Sequence, residues 1–254
     1  MKTILFGIFA IGICISPVMA ANDIILEYAA GIGSEHLPLT SKWGGPVLED
    51  GSHFKEHAIR ASYDLNEHIG FFTTAGWISR WNFSDNRYYP VPPYEGYYPS
   101  RLEREQQATY LIPGVKLSVY LLRLNFGGIM YRSDMDGGGD QEYPFDGGHK
   151  FRPSFMAALG EDDVYLYAGF LNSLPMISGG GVEVGIFGKV GGYYEQKAYF
   201  GGGYHGPGIG YRGEFKMTRN AALSLGLSLG HNDHTNDAVY GVMAGVKVRI
   251  PGRE

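Results

Sequence analysis

Between Leu26 and Ile250 nearly every stretch of this chain alternates apolar and polar side chains, and the stretches are joined by short polar turns and long connections in alternation. The clearest copy runs Ala58–Tyr63, turns at Asn66-Glu67-His68 and returns as Ile69–Trp81; another runs Gly208–Met217, turns at Thr218-Arg219-Asn220 and returns as Ala221–Leu229. A period of two belongs to a β-strand whose two faces meet different surroundings. One face here is apolar over a membrane-crossing length, while the other carries Gly, Ser, Lys, Arg or Glu, so hydrocarbon wets one side only. An open sheet edge in hydrocarbon would strand its backbone N–H and C=O groups. The pattern therefore reads as an all-β, closed antiparallel transmembrane barrel.

The first twenty residues have a different grammar. Lys2 supplies a positive start, Ile4 to Ile15 an apolar core too short to span a bilayer, and Val18-Met19-Ala20 a small-residue cleavage site before Ala21. Residues 1–20 are thus read as a cleavable signal peptide and 21–254 as a single barrel domain. Cys14 is the only cysteine and lies in the removed part, so the mature chain has no thiolate chemistry. The 39 glycines are about twice the usual share. Many fall inside strands, where a curved barrel uses them to bend and to make room under aromatic rings. The formal charge of −5 becomes −6 when Lys2 leaves, which disfavours nucleic acid as a partner.

Apolar parity predicts twelve strands: Ile24–Ile32, Phe54–Leu65, Ile69–Trp81, Gln107–Val119, Leu122–Tyr131, Phe151–Leu159, Val164–Leu171, Val182–Val190, Tyr193–Phe200, Gly208–Met217, Ala221–Leu229 and Val239–Ile250. Ten is the alternative count, because Asn172–Pro207 is glycine-rich enough to be one loop. The alternating strands, polar turns and long loops resemble the broad class of small bacterial outer-membrane β-barrels, over nearly all of the mature chain. That resemblance implies short periplasmic turns, long extracellular loops, both termini on the periplasmic side, and residence in the outer membrane. It also implies outer-membrane lipid, lipopolysaccharide and the barrel-assembly machinery as partners. The chain departs from the class in ending Ile250-Pro251-Gly252-Arg253-Glu254 rather than on an aromatic residue.

With the apolar parity outward, Ile69, Phe71, Thr73, Ala75 and Trp77, or Leu223, Leu225, Leu227 and Leu229, meet lipid. The opposite parity lines the lumen with Arg60 and Asp64, Arg80, Lys116, Arg123, Arg152, Glu183 and Lys189, Arg212, Glu214 and Lys216, and Lys247 and Arg249. Lys and Arg outnumber Asp and Glu there, which points to a passive pore for small solutes with a preference for anions. Paired charges that plug a narrow, non-conducting barrel are the competing expectation, since Arg60/Asp64 and Arg212/Glu214 share a face. Such a barrel would serve adhesion, envelope structure or partner binding. Tyr28, Tyr63, Trp77, Trp81, Tyr110, Tyr120, Tyr131, Tyr165, Tyr211 and Tyr240 fall near predicted strand ends and read as interfacial girdles.

Three loops have compositions of their own. Tyr88, Tyr89, Tyr94, Tyr97 and Tyr98 lie among prolines that stiffen the segment, a surface suited to an extracellular ligand or partner, or to a constriction over the barrel mouth. Asp134, Asp136, Asp140 and Glu142 are spaced like the first part of a calcium loop, although Gly138 and Phe145 occupy positions where ligands belong. Beyond that calcium no cofactor is expected. His231 and His234 open a lipid-hydrolase reading, which the opposite strand faces of Ser228 and His231 disfavour. Protein purified from membranes is expected to begin at Ala21, and an intact mass that retains residues 1–20 would overturn the signal assignment.

Overall fold

The computed structural model describes residues 23–39, 48–83, 88–89, 96–97, 105–133, 148–171, 182–191, 194–203, 206–232 and 237–252. The signal segment lies outside these described residues. Every regular element among them is a strand: β1 (Ile24–Leu39), β2 (Leu48–Asp64), β3 (Ile69–Phe83), β4 (Tyr88–Tyr89), β5 (Gly96–Tyr97), β6 (Glu105–Val119) and β7 (Leu122–Ser133). The order continues β8 (Gly148–Gly160), β9 (Val164–Phe170), β10 (Val182–Val190), β11 (Tyr194–Gly203), β12 (Gly206–Thr218), β13 (Ala221–Asn232) and β14 (Asp237–Ile250).

Twelve of them close into one antiparallel barrel in chain order, and β4 pairs only with β5 in a separate ribbon. The ring is sealed by its first and last strands, from Ile24↔Ile250 to Glu35↔Val239. Twelve, not ten, is therefore the strand number. β10 and β11 pair continuously from Val182↔Gly202 to Val190↔Tyr194, so these two segments of the glycine-rich stretch are barrel wall.

The short turns carry their own chemistry. The Leu65 and Asn66 amides donate to the Ile69 carbonyl, while Asn66 Oδ1 accepts from the His68 and Ile69 amides at 2.9 and 2.8 Å. An Asx side chain thus stands in for turn backbone. At Thr218-Arg219-Asn220 a register shift between Lys216 and Thr218 takes up the odd residue, and Thr218 Oγ1 accepts from the Asn220 amide at 3.2 Å. Tyr120 turns the β6–β7 corner with a φ of 56°.

On the other rim the strands differ in height. β1 and β2 stay paired to Leu39↔Leu48, so much of the loop predicted over Gly33–His53 is an extended hairpin. β9 is shorter than predicted. It stops at Phe170, and Leu171 swings inward at φ 51° to a 2% exposed position, its carbonyl accepting from the Ser154 hydroxyl at 2.9 Å. β8 meanwhile pairs with β7 as far as Gly148 but with β9 only to Phe155, and Pro153 opens the stretch left without a β9 partner. Proline belongs at such an edge, because it has no N–H to leave unpaired.

Apolar side chains cover the outside of the barrel. Phe126, Leu225, Leu227, Leu229 and Val242 are all about half or more exposed, and so many bare residues on one continuous surface make sense only against hydrocarbon. The clasp at the chain ends sits below this belt: Arg249 hydrogen-bonds Asp23, whose Oδ1 also accepts from the Gly252 amide at 3.3 Å. The Arg249 bond, then that amide, hold the Asp23 carboxyl below the usual carboxylate range. Leu225→Arg, which puts a cation in the middle of the apolar belt, is expected to cost about 2–4 kcal/mol of stability in vesicle-embedded protein. Unchanged urea unfolding would mean that Leu225 does not face lipid.

Candidate functional site

The interior of the barrel is the one place where side chains from all twelve barrel strands converge. Facing registers put Arg60 opposite both Thr74 and Glu27, Asp64 opposite Gly70, Lys116 opposite Gly70 and Asn125, and Arg123 opposite Ala158, all on the lumen face. Arg152, Glu183, Lys189, Arg212, Glu214, Lys216 and Lys247 lie on the same face by the same alternation, with Arg249 at its lower rim. Arg80 sits in β3 opposite Phe54.

Most of these charges meet a partner. Lys247 lies 2.9 Å from Glu214 and 3.8 Å from Glu27, bridging two carboxylates from β12 and β1. Lys116 pairs with Asp64 at 2.5 Å, Lys216 with Glu195 at 3.7 Å, Lys189 with Asp163 at 3.4 Å and Arg123 with Asp162 at 3.1 Å. Arg60 Nε donates to Thr74 Oγ1 at 2.8 Å and Arg212 to Ser224 Oγ at 3.3 Å. Arg123 also lies 4.2 Å from the Tyr165 ring centre, and Tyr165 stacks on Phe187 at 4.5 Å. Such pairing keeps buried ions tolerable and spends much of the cation excess that would otherwise attract anions.

The sequence reading missed the other half of this network. Glu27, Glu56 and Glu195 also face inward, as their registers opposite Lys247, Ile78 and Glu214 require. Glu56 accepts a hydrogen bond from the Tyr110 hydroxyl, and Glu183 accepts one from Tyr167. Strand parity alone places these acids inside, but Glu56 lies between Phe54 and Ala58, an apolar setting that hides it. Tyr110, Tyr131 and Tyr165 also face the lumen, where Tyr110 and Tyr131 are 4% exposed, so these three do not belong to the interfacial girdle. Tyr28, Tyr63, Trp77, Tyr211 and Tyr240 do face outward, and Tyr120 lies at the turn.

Above the lower ion pairs, aromatic and aliphatic side chains pack around a few buried polar groups. Phe72, Ile78, Tyr110, Ile112, Ile129 and Tyr131 pack into one buried cluster with Ala29, Ala58 and the inturned Leu171. Ile112, Glu56 and Thr74 are 0% exposed, so side chains pack densely against the wall formed by β2, β3 and β6. Glycines let the rings lie flat: a Cβ on Gly76 would run into the Tyr110 ring, and one on Gly114 into Phe72. β12 to β14 instead present Gly210, Gly226, Ser228 and Gly241 to the lumen, with Met243 filling the space over Gly226. Below this packing a vestibule of about 960 Å³ opens at the end that carries the short turns, lined by Asp64, Glu195, Glu214, Lys216, Lys247 and Arg249 among others.

Tyr94, Tyr98, Asp134, Asp136, Asp140, Glu142 and His234 lie outside the described residues; Tyr88, Tyr89 and Tyr97 belong to the β4–β5 ribbon. Among the described residues no group of His, Cys, Asp or Glu gathers at metal-binding geometry.

No protein-family model and no curated protein matches the chain. Solved structures do. The translocator domain of the autotransporter NalP from Neisseria meningitidis aligns with a TM-score of 0.52 at 9% identity, over 98% of this chain and 95% of that one. The outer membrane phospholipase A from Escherichia coli aligns at 0.43 and 9% identity, over 88% and 89% of the two chains. The Pseudomonas putida toluene transporter TodX aligns at 0.43 and 8%, over 90% and 88%. At these identities the likeness is one of fold alone. Ring closure, an apolar outer belt and that shared architecture give the chain the fold of a transmembrane β-barrel.

Proposed function

We propose that the chain is a non-conducting barrel of the bacterial outer membrane, reached by way of the signal peptide, which acts through the surfaces it presents to lipid and to the exterior. The packed interior supports this reading: Glu56, Thr74 and Ile112 are fully buried inside the ring, and a twelve-stranded barrel conducts only if its lumen stays clear of side chains. No reaction is assigned to it. A passive pore for small solutes is the second reading, favoured by the glycine-lined wall of β12 to β14 above the vestibule. In that reading, movement of Met243 or Arg212 opens a path, and the paired charges leave little preference for anions.

Folded protein in a planar bilayer is expected to give no single-channel openings, whereas Tyr110→Ala combined with Ile112→Ala should produce discrete steps. Steady conductance from the unmodified chain would overturn the closed-lumen proposal and favour the pore. The ion layer makes a separate claim. Lys247→Met leaves Glu27 and Glu214 without their shared cation and is expected to lower stability by roughly 1–3 kcal/mol, with Glu214→Gln in the same chain restoring part of the loss. Urea titration of all three proteins in vesicles checks this, and equal midpoints would contradict it.

A further inference from the structure

The described part of the outer face is apolar over most of the ring and carries its charge on one side. Among residues whose side chains the structure describes, the charged residues on the outward parity of the strands are Lys55 of β2 and Arg132 of β7. Lys55 is nine residues above the end of β2 at Asp64, and Arg132 ten above the start of β7 at Leu122. A barrel strand crosses the hydrocarbon in about 9–11 residues, so both cations sit where the outer leaflet gives way to head groups.

Between them lies a continuous polar patch. Pairing runs His57↔Trp77, Trp77↔Thr109 and Thr109↔Arg132, one outward row of four adjacent strands that spans about 14 Å at ordinary strand spacing. Lys55 and Gln107 stand in the next outward row, both opposite Ser79. The patch is internally organised: Trp77 Nε1 donates to Gln107 Oε1 at 3.4 Å, and Lys55 Nζ lies 6.0 Å from the Trp77 ring centre. His57 stacks on Trp77 at 5.7 Å, with its Nδ1 hydrogen-bonded to the Tyr28 hydroxyl at 2.7 Å. Neither Lys55 nor Arg132 has a carboxylate partner among the described residues.

At comparable height β12 to β14 are hydrocarbon-like, with Ile209 on β12, Leu229 on β13 and Val242 on β14, while Ile32 of β1, directly opposite Lys55, bounds the patch on its β2 side. A general need for interfacial anchoring would not concentrate cations on β2 to β7. Two unpaired cations about three strands apart, with indole and amide groups between them, match a bulky anionic head group rather than a single small ion. Arginine offers phosphate a two-pronged donor and lysine a point charge, and both gain strength at the edge of a low-dielectric layer.

We propose that the outward patch of Lys55, His57, Trp77, Gln107 and Arg132 is a binding site for the phosphorylated glycolipid of the outer leaflet, lipopolysaccharide. The inference rests on the outer-membrane location proposed above. Its phosphates pair with Lys55 and Arg132, and its sugars lie across the Trp77 and His57 rings. The ligand is a membrane lipid and not free phosphate.

The test uses the full mature chain refolded in neutral detergent micelles, with barrel formation checked by heat-modifiable gel mobility. Affinity is measured for lipopolysaccharide, for the same lipid after phosphate removal, and for inorganic phosphate as competitor. Phosphorylated lipid should bind at least tenfold tighter than the dephosphorylated form. K55Q combined with R132Q should abolish that difference, K55R with R132K should retain most of it, and R219Q at the opposite turn should leave it unchanged. Equal binding of the two lipids, an unaffected K55Q/R132Q variant, or displacement by inorganic phosphate as effective as by lipid would overturn the proposal. Micelle binding does not depend on where the cell delivers the protein, so fractionation that finds the chain outside the membrane would refute the location separately.

Discussion

Hydrocarbon cannot hydrogen-bond, and the architecture follows from that fact. Each backbone N–H and C=O at membrane depth must find a protein partner, which strands achieve only by closing on themselves. The β1–β14 ladder, twelve registered pairs from Ile24 to Glu35, is what converts a long meander into a ring. With the backbone satisfied, the outer face is left to apolar side chains and the inner face to whatever the ring's width requires.

Width is the second constraint. A ring of twelve strands is too broad for small side chains to fill, so the chain places rings and long cations on one wall and glycines under or opposite them. Tyr110 over Gly76, Phe72 over Gly114 and Met243 over Gly226 repeat one device at different heights. The tyrosines have a polar end to dispose of, and Glu56 and Glu183 accept it. Lower down, where water reaches the vestibule, ion pairs take over from aromatic packing.

The wall was legible in the sequence because its two faces contrast. Leucines at 223, 225, 227 and 229 against Ala222, Ser224, Gly226 and Ser228 fix both the strand and its register. Turn chemistry at Asn66 and Thr218 fixed the corners. The lumen was less readable, because parts of it are as apolar as the outside: on β6 both Leu111, outward, and Ile112, inward, are hydrophobic, so Tyr110 passed for an interfacial residue. Glu56 was hidden by its apolar neighbours Phe54 and Ala58. The lipid-facing patch escaped for a different reason. His57, Trp77, Thr109 and Arg132 are scattered along the chain and become neighbours only through strand pairing.

The seam between β1 and β14 also dictates an order of events. Its two sides lie at opposite ends of the chain, so they meet only after the intervening hairpins have paired and curled them together, and closure comes late on topological grounds. Until that moment two bare edges coexist, each a template for a foreign strand. A barrel of this design is therefore most exposed to mispairing along that one line, and only until the seam shuts.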